Sequence, residues 1–151
     1  MEIRRYLESD RDAVWELHRL ALEAAGAFGG HGPWDADVRD IESIYLNNRG
    51  EFLIGTIEDR LIAMGAFQRI DDGTAEIKRM RVHPNFQRQG YGQAIYDRLV
   101  ERTAQLGYEK LCLDTGVNMT AAQKFYLKNG FRQAGKTKLD SFDVLLFEKE
   151  I

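Results

Sequence analysis

Ala13, Val14, Leu17, Leu20, Ala21 and Ala24 recur at spacings of three and four, the signature of one apolar helix stripe. Ser9 or Asp10 offers an N-cap and Gly26 a stop, so the pattern predicts a helix between them. Ahead of it, Ile3-Arg4-Arg5-Tyr6 reads as a short strand. Behind it, residues 26–34 hold Gly26, Gly29, Gly30, Gly32 and Pro33, which predicts a flexible loop carrying two bulky side chains, Phe28 and Trp34. A second helix is expected from Asp35 or Ala36 to Leu46, with Val38, Ile41, Ile44 and Tyr45 inward.

The period then shortens. Residues 52–57, 61–70 and 75–82 read as strands separated by turns at 58–60 and 71–73, an antiparallel meander. A glycine-bearing loop from His83 to Gly92 opens a helix that runs to about Leu106, with Ile95, Leu99 and Val100 apolar and Gly107 at C′. A strand over 110–114 and a helix over 121–129, stopped by Gly130, follow. Strands near 131–134 and 142–147 close the chain. The order β-α-α-β-β-β-α-β-α-β-β predicts an α/β (α+β mixed) fold. Its sheet is mixed and mostly antiparallel, with about six to seven strands flanked by about four helices.

The chain has 151 residues, which suits a single domain over 1–151. Hydrophobic residues at 44% and charged residues at 30% describe a globular protein and exclude disorder. A net charge of −3 removes the electrostatic case for a general nucleic-acid binder. The single cysteine, Cys112, excludes an intramolecular disulfide and a multi-cysteine zinc site, and no metal is expected. No apolar run approaches a membrane span, and the first ten residues alternate charge with bulk. Neither a signal peptide nor a membrane partner is expected, and the expected address is cytoplasmic.

The stretch Met80-Arg81-Val82-His83-Pro84-Asn85-Phe86-Gln87-Arg88-Gln89-Gly90-Tyr91-Gly92-Gln93-Ala94 carries the chemistry. A strand ends, proline stops it, and two glycines one residue apart open a helix. Glycines there let backbone approach an oxygen-rich ligand closely. The first helical turn has unpaired N–H groups with the positive end of the macrodipole behind them. Such a site suits phosphate or pyrophosphate, each charge-assisted bond contributing about 1.5–3 kcal/mol. A nucleotide-hydrolase phosphate loop needs Lys-Ser or Lys-Thr after its last glycine, where this chain has Gln93-Ala94. A dinucleotide fingerprint needs a third glycine, where this chain has Ile95. By spacing alone, Gly90 and Gly92 are equally consistent with a tight strand-to-helix turn.

Gln87-Arg88-Gln89-Gly90-Tyr91-Gly92 resembles the Q/R-x-x-G-x-G/A signature of the GNAT superfamily of N-acetyltransferases. Val82-His83-Pro84 resembles that family's strand end, and Phe125-Tyr126-Leu127-Lys128-Asn129-Gly130-Phe131 its second conserved block. The resemblance implies acetyl-CoA as cosubstrate and a GNAT-like sheet. It places the pantetheine arm on the main chain of Met80, Arg81 and Val82, as an added strand. It places the pyrophosphate on the backbone of Arg88, Gln89, Gly90, Tyr91, Gly92 and Gln93. The family's asparagine about seven residues before the tyrosine of its second block falls on Met119, so Asn118, one place earlier, is the coenzyme-contact candidate.

Acyl transfer to an amine poses a proton problem. A lysine-like amine with pKa near 10.4 is protonated at pH 7, and freeing it costs roughly 4–5 kcal/mol. Glu76 is the base candidate, since the family frequently has a glutamate here and strict alternation puts it on the side of Met80 and Val82. On an apolar face its pKa should rise. An exposed carboxylate paired with Lys78 is the competing reading, because a bulge would shift the phase. Tyr126 is the acid candidate for the departing thiolate, against a plain core aromatic at helical spacing from Ala122. Val82 N–H is the candidate donor to the thioester oxygen.

Other residues read as structural: His83 as a polar cap before proline, Cys112 as a small buried side chain, and Lys78-Arg79-Arg81 as solvated strand charges that could meet phosphates. Phe28, His31 and Trp34 are the acceptor-binding candidates, in the loop that borders the family's acceptor site. Nearby Asp35 and Asp37 favour a cationic small molecule or a peptide amine. The leading reading is acetyl transfer to a primary amine by direct attack. Its rivals are a non-catalytic acyl-CoA-binding sensor and a nucleic-acid-binding αβ domain. Edge strands near the C-terminus could pair two subunits as a homodimer.

Overall fold

Two apolar clusters, one on each face of a seven-stranded sheet, organise the protein. The computed structural model describes residues 1–26 and 33–151, with Pro33 and Trp34 described by their backbone only. Strands β1 (Glu2–Arg5), β2 (Glu51–Ile57), β3 (Arg60–Arg69), β4 (Thr74–Val82), β5 (Lys110–Gly116), β6 (Arg132–Leu139) and β7 (Phe142–Glu150) alternate with helices α1 (Arg11–Ala24), α2 (Tyr91–Gln105) and α3 (Thr120–Lys128). The sheet order is β1-β2-β3-β4-β5-β7-β6. Every neighbouring pair is antiparallel except β4 and β5. Among the described residues no helix is long and apolar enough to cross a membrane.

On one face, α1 buries Val14 and Leu17 against Phe52, Ile54, Met64 and Ala66. On the other, α2 and α3 bury Ile95, Leu99 and Tyr126 against Ile62, Phe67, Ile77 and Leu113. Each fully buried leucine or isoleucine contributes about 1.5–3 kcal/mol, so the faces are held independently and the cleft between β4 and β5 sits on a stiff frame. The expected second helix differs. Residues Pro33–Arg39 form a 3-10 segment and Glu42–Leu46 a π turn. A straight α-helix would separate Asp37 and Tyr45 by about 12 Å along its axis. The break at Asp40 instead lets Tyr45 Oη donate to Asp37 Oδ2 at 2.5 Å.

Strand β4 carries an extra residue. Met64 faces Arg81 and Ala66 faces Lys78, so Gly65 alone spans both Arg79 and Met80. Arg79 takes a φ of 58°, the αL geometry that a bulge residue requires. Glycine is needed opposite it: a Cβ on Gly65 would collide with Met80 Sδ and come within 2.7 Å of Ile95 Cγ2. The extra residue changes which side chains share a face. Ala75 and Ile77 continue to Met80 and Val82 on the α2 side. Glu76 and Lys78 continue to Arg81 on the α1 side, opposite Gln68, Ala66 and Met64.

Candidate active site

The helix α2 begins with donors and no cap. Gly90 is its N-cap residue, with φ 84° and ψ 4°, and no side chain caps the helix. Arg88 also has a positive φ, 61°. Two αL positions two residues apart curl the chain into a concave run of amides. A Cβ on Gly90 would touch nothing within 4 Å, so its glycine serves conformation rather than space. Gly92 differs: its Cβ would lie 3.4 Å from Val82 Cγ2. Residues 87–90 are exposed, which leaves the first-turn N–H groups open to an anion. Gln93 has its side chain engaged by Asp97 and Asn129, at 2.9 and 2.8 Å, so its backbone faces that role.

Strands β4 and β5 pair only at Thr74, Ala75 and Glu76 with Lys110, Leu111 and Cys112. Beyond Glu76 the strands part, and the β5-side edge of Met80, Arg81 and Val82 is unpaired. His83 N–H donates to Ile62 O on β3 at 2.8 Å. Backbone donors alternate along a strand, so Val82 N–H points the other way, into the opening. Uncapped helix amides and an unpaired strand edge thus lie at consecutive ends of one loop. An extended molecule with a diphosphate at one end and amide groups along its arm fits that arrangement.

Glu76 sits at the point where β4 and β5 diverge. Its Oε1 accepts from Gln68 Nε2 at 2.6 Å, and no ion pair to Lys78 forms among the described residues. The bulge overturns the alternation reading, so Glu76 lies on the α1 side of β4 rather than with Met80 and Val82. Tyr126 comes from α3, only 6% exposed, in an aromatic cluster with Tyr96, Phe125 and Phe131. Burial pushes its phenol above the ordinary value of 10, and the nearby Arg81 guanidinium pulls it back in part. Its hydroxyl makes no hydrogen bond among the described residues. Asn118 is exposed in the turn before α3. Phe28 and His31 lie outside the described residues, as does the Trp34 side chain.

The α1 side of β4 holds a buried polar cluster that the sequence pattern missed. His18 is fully buried, and its Nε2 lies 2.8 Å from Asp35 Oδ1. Arg79 donates through Nε and Nη2 to Asp37 at 2.9 and 2.5 Å. The expectation of solvated charges at Arg79 and Arg81 is therefore corrected: the bulge turns both inward. Asp35 and Asp37 are engaged by His18, Arg79 and Tyr45 instead of standing free for a cation. Burial, then Arg81, pushes His18 below its ordinary pKa. Arg81 itself is pushed down to about 10 by burial and by Arg79. A histidine in phase with Val14, Leu17 and Ala21 was the available signal. His83 caps the 3-10 turn Pro84–Phe86, accepting at Nδ1 from Asn85 N–H at 3.1 Å, and burial raises the Cys112 thiol to about 11.

A mostly antiparallel sheet split at one parallel pair, with a glycine-led helix start beside the split, is a mixed α/β fold with an open strand edge. Residues 11–131 match the acetyltransferase (GNAT) family, and the chain belongs to it. It is 33% identical over 104 residues to N-acetylaspartate synthetase of Danio rerio, covering 68% of this chain and 37% of that protein. It spans about a third to a half of the length of several curated relatives that it matches. Its fold superposes on an acetyltransferase from Streptococcus agalactiae with a TM-score of 0.90 at 22% identity, covering 99% and 98% of the two chains. It also superposes on the PaiA N-acetyltransferase of Thermoplasma acidophilum in complex with coenzyme A, with a TM-score of 0.79 at 19% identity and coverage of 99% and 98%.

Proposed function

We propose that the protein transfers an acetyl group from acetyl-CoA to a primary amine of a small molecule or peptide, by direct attack. The observation that carries this is the uncapped start of α2 next to the unpaired edge of β4. The backbone of Arg88, Gln89, Gly90, Tyr91, Gly92 and Gln93 holds the diphosphate. The main chain of Met80, Arg81 and Val82 holds the pantetheine arm. Asn118 is the remaining coenzyme contact, and Phe28, His31 and Trp34 border the acceptor. Membership of the acetyltransferase family supports this reading.

Acetyl-CoA supplies the thioester; this chain's residues manage protons and charge around it. Glu76 takes the ammonium proton, directly or through water, so the amine attacks as the free base. Val82 N–H donates to the carbonyl oxygen as charge builds there. The C–N bond forms, the C–S bond breaks, the Tyr126 hydroxyl gives its proton to the departing thiolate, and the second proton shed by the attacking nitrogen returns through water to the phenolate. The phenol is suited to that role because it is protonated at neutral pH even at its ordinary value of 10, and burial only raises it further. The test is thiol release from acetyl-CoA over a panel of amines, amino acids, peptides, polyamines and aminoglycosides. Acceptor-dependent thiol with an N-acetylated product is expected. Coenzyme binding without either overturns catalysis in favour of an acyl-CoA sensor.

A further inference from the structure

Arg81 is a mostly covered cation without a carboxylate. Its guanidinium has five N–H donors, and one bond is made, from Nη1 to the carbonyl of Met80 at 2.9 Å. Nε is fully buried and has no partner among the described residues. No carboxylate lies within 4.0 Å among the described residues, because Asp37 is forked by Arg79 and Asp35 is bonded to His18. Two acceptor atoms of the same cluster, His18 Nδ1 and Asp35 Oδ2, are likewise buried and without a partner among the described residues. Buried charges and polar groups are costly to leave unmatched. A cluster left incomplete in both donors and acceptors is one that a ligand completes.

The register places this cluster. Arg81 lies on the α1 side of β4, on the face that carries Glu76, while Met80 and Val82 pack toward α2. Its guanidinium is near enough to Tyr126 to affect that phenol. A group held by Arg81 is therefore on the face of β4 that carries the base. Resting on the transferase reading above, we infer that Arg81 binds a carboxylate carried by the acceptor, so that the substrate is an amine that also bears a carboxylate. A guanidinium suits this role because its fork meets both carboxylate oxygens.

The test compares acceptors that differ only in that carboxylate: free amino acids, the same amino acids as carboxamides, and C-terminally amidated peptides with or without an acidic first residue. Wild-type kcat/KM should favour the carboxylate form over its carboxamide about ten- to a hundredfold, the worth of a charge-assisted bond. The amidated peptides show whether the carboxylate belongs to the main chain or to a side chain. In Arg81→Gln and Arg81→Met the preference should collapse toward one, chiefly through KM for the carboxylate acceptor. Arg81→Met should also melt higher than wild type when no acceptor is present, which separates a ligand-binding arginine from one that holds the fold. Equal wild-type turnover of carboxylate and carboxamide overturns this inference and leaves the transferase reading standing. So does an unchanged preference in both variants. Coenzyme binding with no acetylated product in any arm overturns both.

Discussion

Arg79 reaches from the bulge of β4 to grip both oxygens of Asp37, at 2.9 and 2.5 Å. This fork ties a strand residue in the αL conformation to the 3-10 segment that covers it. A non-glycine backbone in the left-handed region costs about 1–2 kcal/mol, and the ion pair offsets it. Both partners are nearly inaccessible, at 11% and 10% side-chain exposure, so removing one takes a charged partner from the other in a buried place. Arg79→Gln should lower unfolding free energy by about 3–5 kcal/mol, measured by urea denaturation. Asp37→Asn should do the same. The double variant should lose less than the sum of the two singles. Full additivity would show that the fork contributes nothing as a pair.

Gly90 is the position at which α2 and the proposed phosphate-binding amides share one constraint. Its φ of 84° is disallowed for most side chains, yet a Cβ there touches nothing. Gly90→Ala should destabilise the protein by about 1–2 kcal/mol and weaken coenzyme A about tenfold, the loss of one charge-assisted contact. Gly90→Asn should recover most of both, since asparagine tolerates αL. Calorimetric titration with coenzyme A and a thermal melt read the two effects separately. Equal affinity in Gly90→Ala and wild type would remove this turn from the binding site.

Much of this was legible in residue order. The glycine pair, the strand that precedes it and the aromatic helix block gave the family resemblance. Turn residues set the antiparallel meander. What periodicity does not contain is an inserted residue, because a bulge is decided by the opposite strand: Gly65 must be small before Arg79 can fold out. One extra residue moved Glu76 to the other face and turned Arg79 and Arg81 from expected surface charges into buried ones. The second helix was misjudged because tertiary bonds from Tyr45 and Arg79 to Asp37 outweigh an apolar pattern that suits a continuous helix.

In the proposed mechanism Glu76 and Tyr126 act on different protons, so their variants should differ in pH behaviour. Glu76→Gln keeps a partner for Gln68 Nε2 but holds no proton-accepting oxygen of comparable basicity. It should lower kcat at pH 7 by about a hundredfold or more. The loss should shrink as pH rises and the amine frees itself. Tyr126→Phe removes only a donor from an aromatic cluster that stays packed. It should lower the acyl-transfer step with coenzyme affinity nearly unchanged, and the loss should be smaller with a thioester whose thiol is more acidic. Steady-state rates across pH 6–10 and across two thioesters check both. A pH-independent loss in Glu76→Gln would assign it to positioning.

His18 makes stability depend on pH in a defined window. Its imidazole is fully buried. It bonds Asp35 through Nε2 and is faced by Arg81 and Arg79, and burial and Arg81 outweigh the carboxylate, pushing its pKa from 6.5 to about 4. The folded protein therefore keeps His18 neutral where the unfolded chain takes up a proton. Stability from this group is complete above pH 6.5 and declines as pH falls toward about 4. The limiting slope is about 1.4 kcal/mol per pH unit. Asp10 and Asp37 have depressed values and act lower, with stability lost only as pH falls below their ordinary 3.8. His83 is shifted in the same direction as His18 by burial and Arg60, so His83→Gln serves as the comparison. Unfolding free energies from denaturant titrations between pH 4.5 and 7.5 should fall steeply with acid in wild type. They should fall nearly as steeply in His83→Gln and flatten in His18→Gln, whose amide still donates to Asp35. A wild-type slope preserved in His18→Gln would mean that the buried imidazole already carries its proton in the folded protein, against the balance of burial and arginine charge around it.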